Sequence, residues 1–386
     1  MLPKYRQFFF GMFAFFLLSA CQNTPTQAPL SENSQTVLPK TTVSYAKNFS
    51  ISYFDGYKVL SFFNYSPNSS DTLHFVLLKK EAAVPKGFQP NQVIYIPVQK
   101  IATTSTTQIA QLDTLGFLDK IVGVTDLNFI SEPKILEKVA QKKVFQMGSE
   151  GNLLAENLLQ AQTELLLMSS FSEKESNQIR QFEQLGIKVL PIADWLENHP
   201  LGRTEWLKVL AALFDQEQKA EKIVEGIKNN YLTTKDLASK TSTRPSVFRG
   251  LPYKNTWYVA GGKSYIAQLL ADAGATYTWQ NDQSTGSLSL DFEAVYPIAL
   301  KADFWLLIGD IANKKALLGM DKRFEKFEAY QKNAIFSDNK KINAKGESDY
   351  YTKGVNNPHL ILADLVKIFH PEALPNYQSV YFKKID

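Results

Sequence analysis

Between positions 206 and 231 the apolar residues recur mostly at steps of three and four: Trp206, Leu210, Leu213, Phe214, Ala220, Ile223, Val224, Ile227 and Tyr231. Lys208, Gln216, Glu217, Lys219, Glu221, Lys222 and Lys228 fill the other positions, so the spacing predicts an amphipathic helix over 202–240. Pro200 keeps the helix from beginning earlier, Thr204 is placed to cap its free N–H groups, and Glu205 suits the positive end of its dipole. An uninterrupted helix over 204–238 would be roughly 50 Å long, enough to bridge two domains as a strut. The alternative is an ordinary long helix broken once near Gly226.

Upstream, short aromatic and β-branched runs at 49–54, 57–63, 73–78 and 93–98 are divided by Asp55-Gly56 and by polar segments, which predicts an N-terminal antiparallel hairpin or meander. After Pro97 the pattern changes to strand and helix in alternation, the signature of a mostly parallel sheet covered by helices. Strands are expected at 99–102, 121–124, 165–168 and 188–192, with helices at 106–115, 155–160 and 173–185. From Arg244-Pro245 the scheme repeats, with strands at 246–248, 257–260 and 304–308. Ile109-Ala110-Gln111-Leu112 runs out at Gly116, as Ile266-Ala267-Gln268-Leu269 runs out at Gly274. Glu156 and Glu293 each open a helix leading to a strand, at Leu165-Leu166-Leu167 and at Phe304-Trp305-Leu306. Two echoes in matching order predict two similar lobes, and a helix long enough to join them.

The first 20 residues put Lys4 and Arg6 before an apolar run at 8–18, too short to span a bilayer and shaped like a secretory signal. The run ends in Leu18-Ser19-Ala20-Cys21, which resembles the lipobox of bacterial lipoproteins and implies lipidation of Cys21. Cys21 is the 1 cysteine of the 386 residues, so no thiol remains for a disulfide, a CxxC pair or a zinc site. Residues 22–40 are rich in Thr, Gln, Pro, Ser and Asn and read as a flexible tether. Loss of residues 1–20 removes Lys4 and Arg6 and no acid, so the net charge falls from +4 to +2, which points to neither nucleic acid nor an acidic surface as partner.

Gly261-Gly262-Lys263-Ser264 is not a phosphate loop, because the pattern needs glycine at the position of Trp257. His74, His199, His359 and His370 fall in no metal-ligand spacing, and no G-x-S-x-G elbow nominates a serine nucleophile. Neither a metal site nor a cofactor is expected.

In its order of segments the chain resembles the cobalamin and iron-siderophore type of ABC-transporter substrate-binding protein over roughly 96–372. The resemblance is carried by Gln99-Lys100-Ile101-Ala102 with the Thr/Ser-rich 103–107, by 118–124, by 156–167, by the PLGRTEW opening of the long helix, by 257–265, and by Leu362-Ala363-Asp364-Leu365 with His370-Pro371-Glu372. It implies an α/β fold of two Rossmann-like lobes joined by a single long backbone helix, here with extra N-terminal antiparallel strands. The expected organisation is a signal peptide (1–20), a tether (21–40), an N-terminal lobe (41–201), a connecting helix (202–240) and a C-terminal lobe (241–386). It further implies a lipid-anchored monomer of the cell envelope, facing the periplasm, that takes a ferric siderophore, corrinoid or haem from the interlobe cleft to a membrane permease, without catalysis.

Ligands of open α/β sheets bind where loops leave the C-terminal ends of parallel strands, here 103–107, 169–171, 249–253 and 260–265. Thr104, Ser105, Thr106, Arg249, Trp257, Tyr258, Gly261, Gly262 and Tyr265 are accordingly the candidate ligand contacts: aromatics for an apolar chelate, Arg249 for an anionic one, glycines for close backbone approach. The alternative makes Trp257 a core residue and Arg249 an exposed loop charge. On the cleft reading, alanine at either position weakens binding and leaves stability little changed. Glu156 and Glu293 correspond to acids that dock on permease arginines in the resembled family; otherwise they complement helix dipoles. A different class stays open as well, a membrane-anchored envelope hydrolase using cleft carboxylates.

Overall fold

The computed structural model describes residues 37–65, 71–149, 151–169, 173–343 and 346–386. The signal segment, Cys21 and most of the tether lie outside the described residues. Among those described, no helix is long and apolar enough to cross a membrane.

Residues 41–48 form a strap without helix or strand and lead into β1 (Phe49–Phe54), β2 (Tyr57–Phe63) and β3 (Thr72–Leu78), which pair antiparallel in succession. β4 (Val93–Tyr95) departs from the expected meander: it lies parallel to β3, with Val76 opposite Val93. The linking segment 79–92 is long enough for the crossover that parallel pairing needs. One face of this sheet, with Phe49, Leu60, Phe62, Phe75 and Leu77, is continuous with the core of the first lobe.

The first lobe runs β5 (Ile101–Thr103), α1 (Thr106–Thr114), β6 (Ile121–Val124), α2 (Pro133–Ala140), β7 (Phe145–Gln146), a small hairpin of β8 (Gly148–Ser149) and β9 (Asn152–Leu153), then α3 (Ala155–Gln160), β10 (Leu165–Met168), α4 (Glu173–Gln184) and β11 (Lys188–Pro191). Five strands pair parallel in the order β11-β10-β5-β6-β7. Leu165 and Leu167 enter the core shared with the N-terminal sheet and Leu166 and Met168 the core on the other face, so this strand is buried on both sides.

The expected single strut is two helices, α5 (Pro200–Ala212) and α6 (Glu217–Ser239). The chain breaks at Asp215, where φ is +56°, and not at Gly226, which stays helical. Tertiary contacts fix the break: Phe214 stacks on Phe117 with ring centroids 3.9 Å apart, and the Asp215 carboxylate takes Lys40 at 2.8 Å and Lys58 at 2.7 Å. The Lys40 hydrogen bond, with that of Lys58, holds the Asp215 carboxyl down to about 2. The cap differs too. His199 precedes the helix and its Nδ1 accepts from the Leu201 N–H at 3.1 Å, with Pro200 at the first helical position, while Thr204 is buried one turn inside.

Every residue of α5 is buried, Lys208 of the supposed polar face included. The strap makes this tolerable. The Glu205 carboxylate accepts from the backbone N–H groups of Ser44 (2.9 Å), Tyr45 (2.7 Å) and Ala46 (2.7 Å), and Lys208 donates to the Thr42 carbonyl. Glu197 accepts from the N–H groups of Lys47 and Asn48 and from the Trp206 indole. Buried carboxylates need such partners, since an uncompensated one is strongly destabilising.

The second lobe runs β12 (Ser246–Arg249), β13 (Pro252–Tyr253), β14 (Thr256–Ala260), α7 (Tyr265–Asp272), β15 (Thr276–Tyr277), β16 (Ser287–Asp291), α8 (Phe292–Ala299), β17 (Phe304–Leu307), α9 (Lys314–Met320), α10 (Glu328–Gln331), β18 (Ile335–Ser337), α11 (Pro358–Phe369) and β19 (Lys383–Lys384). Its main sheet has the order β15-β12-β17-β18-β19, parallel except for β19. The predicted strand at 257–260 belongs elsewhere, to a separate antiparallel sheet of order β13-β14-β16. The repeated motifs do end alike: α1 and α7 both run out at a left-handed glycine, Gly116 and Gly274, each with φ +76°.

Candidate functional site

The C-terminal ends of the parallel strands supply the groups. In the first lobe, Ser105 caps α1 by accepting from the Thr107 N–H at 3.2 Å. The Thr104 hydroxyl accepts from the Ser169 N–H at 3.0 Å, which ties the ends of β5 and β10 together. Beside them Trp195 is 43% exposed and donates its indole N–H to the Ser169 carbonyl at 2.8 Å. Of the expected loop 169–171 only Ser169 lies within the described residues.

From the strut, Arg203 forms a buried ion pair with Asp194 at 3.0 Å and stacks over the Tyr265 ring, 4.9 Å from its centroid. From the second lobe, Arg249 at the end of β12 reaches Asp338, just past β18, at 3.3 Å and the Tyr351 hydroxyl at 3.2 Å. Tyr351 donates to the same Asp338 oxygen at 2.6 Å, and Arg249 lies 6.0 Å from the Tyr350 ring centroid. Burial works against the Arg249 charge, but Tyr351, Tyr350, Asp338 and Tyr265 together outweigh it and raise its affinity for the proton. Burial also pushes the Tyr351 phenol well above its ordinary value, against the pull of Arg249 and with the help of Asp338, so it is a donor at neutral pH.

Tyr351 belongs to an arm, residues 349–357, that crosses to the first lobe. Thr107 donates to the Tyr351 carbonyl at 3.4 Å, Gln111 to Asn356 at 3.2 Å, and Lys353 pairs with Glu132 at 3.3 Å. Thr106 faces this arm across a small cavity lined also by Glu132, Asp349 and Lys353.

Several candidate contacts have other roles. Trp257 is fully buried, against Phe248 and Phe292 at 5.9 Å and Trp305 at 6.4 Å, so it is a core residue and not a cleft wall. Strand alternation explains this: Trp257 and Val259 point inward on β14, and Tyr258 points out, 50% exposed. The Trp257 indole nonetheless donates to the Arg249 carbonyl at 3.1 Å and so steadies the arginine from behind. Gly261 and Gly262 serve close approach to the chain's own backbone. A Cβ at Gly261 would lie 2.3 Å from the Ser284 carbonyl oxygen, and one at Gly262 2.4 Å from that of Asp282. Of the expected contacts, Arg249 and Tyr265 lie in this cluster, together with Arg203, Asp194, Trp195, Asp338, Tyr350 and Tyr351, which the sequence analysis did not name. Doubled tyrosines at 350–351 and an arginine in a run otherwise read as strut were the available signals.

The arrangement brings two guanidiniums, each balanced by a buried carboxylate, together with three tyrosine rings, an aromatic and polar combination suited to a partly apolar solute with hydrogen-bonding groups. Among the described residues no group of three His, Cys, Asp or Glu could hold a bare metal ion.

A profile described as periplasmic binding protein matches residues 101–341. An uncharacterized lipoprotein of Methanocaldococcus jannaschii is 25% identical over 380 residues, 93% of this chain and 88% of that protein. A periplasmic binding protein from Veillonella parvula superposes with a TM-score of 0.57 at 14% identity, over 81% of this chain and 98% of that one. A periplasmic heme binding protein from Pseudomonas aeruginosa gives 0.54 at 17% identity, over 75% and 98%. With its lobes, its strut and a matched segment spanning more than half its length, the chain belongs to the periplasmic binding protein family.

Proposed function

We propose that the chain captures an anionic iron chelate, haem or a ferric siderophore, between its lobes and delivers it chemically unchanged to an ABC permease. The observation that carries this reading is the convergence of Arg203 and Arg249 on Tyr265, Tyr350 and Tyr351. Guanidinium N–H groups left over from the two ion pairs, the unpartnered Arg203 Nε–H among them, suit the acidic groups of such a chelate, and the haem-binding structural relative supports the same class. The test is an equilibrium titration of the mature chain with haem, a ferric siderophore and a corrinoid, followed by tryptophan fluorescence, for which the exposed Trp195 is a reporter. Saturable quenching by haem or the siderophore, with the ligand recovered intact, is the expected result. Consumption of the ligand would favour the hydrolase alternative, and no quenching by any of the three would sink the reading.

The lipoprotein relative and the Leu18-Ser19-Ala20-Cys21 motif support an anchor on Cys21 in the cell envelope. Glu156 near the start of α3 and Glu293 near the start of α8 support two-point docking, because both are exposed, Glu293 with only the exposed Arg323 at 3.2 Å. Two carboxylates on separate lobes can meet two basic patches of a permease and orient the cleft over its pore. Glu156→Ala with Glu293→Ala is expected to leave ligand affinity unchanged and abolish association with the permease in a pull-down at physiological salt. Surviving association would return both acids to the role of dipole partners.

A further inference from the structure

A second compartment lies beside the strap. It is a polar groove of about 670 Å³ between the strap, the start of α5 and the 262–285 stretch of the second lobe. That volume is in the range of small-molecule sites, roughly 300 to 1,000 Å³. The strap that walls it lies outside the matched family segment 101–341.

Its chemistry has a sign. Lys47 from the strap and Lys263 from the opposite wall both line it, and neither ammonium has a hydrogen bond or ion pair among the described residues. The one carboxylate in its wall, Glu197, is turned away and spent on the N–H groups of Lys47 and Asn48 and on the Trp206 indole. Nearby acids accept hydrogen bonds from within the fold. Glu205 is held by three strap N–H groups, Asp272 by Lys235 and Tyr231, and Asp282 accepts the Ser284 N–H. His199 uses Nδ1 to accept the Leu201 N–H and lies tilted against Tyr45, ring centroids 4.8 Å apart, so both lining rings are held in place. Gln268, Gln280 and Gln283 complete the walls with side-chain amides, which donate to carboxylate and hydroxyl oxygens. The result is a donor-rich, hydrophilic compartment whose wall carries two lysines against one carboxylate, unlike the aromatic Arg249 site.

We infer that this groove binds a small hydrophilic polycarboxylate, either as the free acid or as the outer arms of an iron chelate whose core sits at Arg249. Two unpaired lysines that line one cavity from different elements favour a ligand with at least two acidic groups. For the chelate form the inference rests on the capture reading above; for the free acid it stands without it.

Citrate and ferric citrate serve as probes in calorimetric titrations of the mature chain at low and physiological salt. At least one is expected to bind saturably, more weakly at the higher salt. Lys47→Gln with Lys263→Gln is expected to lower the affinity at least tenfold, Lys47→Arg with Lys263→Arg to retain it, and Lys254→Gln, on another surface, to change nothing. Ferric citrate binding at least tenfold tighter than citrate identifies the chelate arm, and equal affinity identifies the free acid. Binding of neither probe, or an unchanged affinity in the folded glutamine pair, overturns the inference. Haem or siderophore quenching that persisted in that event would leave the capture function standing, so the two failures are distinguishable.

Discussion

Arg249→Ala is expected to lose about 2 to 5 kcal/mol of chelate binding, the usual effect of removing one member of a buried, charge-assisted contact. It should also destabilise the second lobe, contrary to what an exposed loop charge would do. Asp338 is completely buried, and its carboxylate depends on Arg249, on the Tyr351 hydroxyl and on the Gly309 N–H at 3.2 Å. Leaving such a charge without its cation costs about 3 to 5 kcal/mol. The double change Arg249→Met with Asp338→Asn separates the two effects. It removes both charges and should recover most of the melting temperature while binding stays lost. Recovery of binding in that pair would mean that Arg249 acts only as a structural counter-ion.

Trp257→Ala is expected to cost about 3 to 5 kcal/mol of stability, as large-to-small changes of buried aromatics do. The indole is one of several rings packed with Phe248, Phe292, Trp305 and Phe324, and little around it can collapse to fill the cavity. Trp257→Phe should keep much of that packing and lose the hydrogen bond to the Arg249 carbonyl. A modest fall in affinity with a small fall in melting temperature is therefore expected for phenylalanine. Denaturant melts alongside fluorescence titrations check both, and a near-native melting temperature for Trp257→Ala would contradict the core assignment.

Strongly periodic segments could be read from the chain directly. The strands at 121–124 and 165–168 and the helix at 155–160 fall where apolar spacing put them, because local pattern and tertiary burial agree there. The strut was harder. Leu213 and Phe214 continue its apolar stripe through the break, and the reason for the break is Lys40 and Lys58, far away in sequence. Lys208 and Glu205 read as surface charges since nothing local reveals that the strap 160 residues earlier will cover them. Trp257 could have been placed by the period of two in Trp257-Tyr258-Val259, had the segment been treated as a half-buried strand. Part of the candidate site was beyond reach for the same reason as the strut. Asp338 and Tyr351 meet Arg249 only through the order of strands in the second sheet and the arm that follows it.

The strap has a mechanical meaning. Under the proposed anchor on Cys21, the chain arriving at Lys40 joins the frame at the break between α5 and α6, through the Asp215 ion pair and then through the carboxylates of Glu205 and Glu197. Drag from that anchor would thus be transmitted to α5 and the start of α6. Neither lobe would carry the load alone, and thermal tugging from the bilayer would turn the whole body without prising the cleft open.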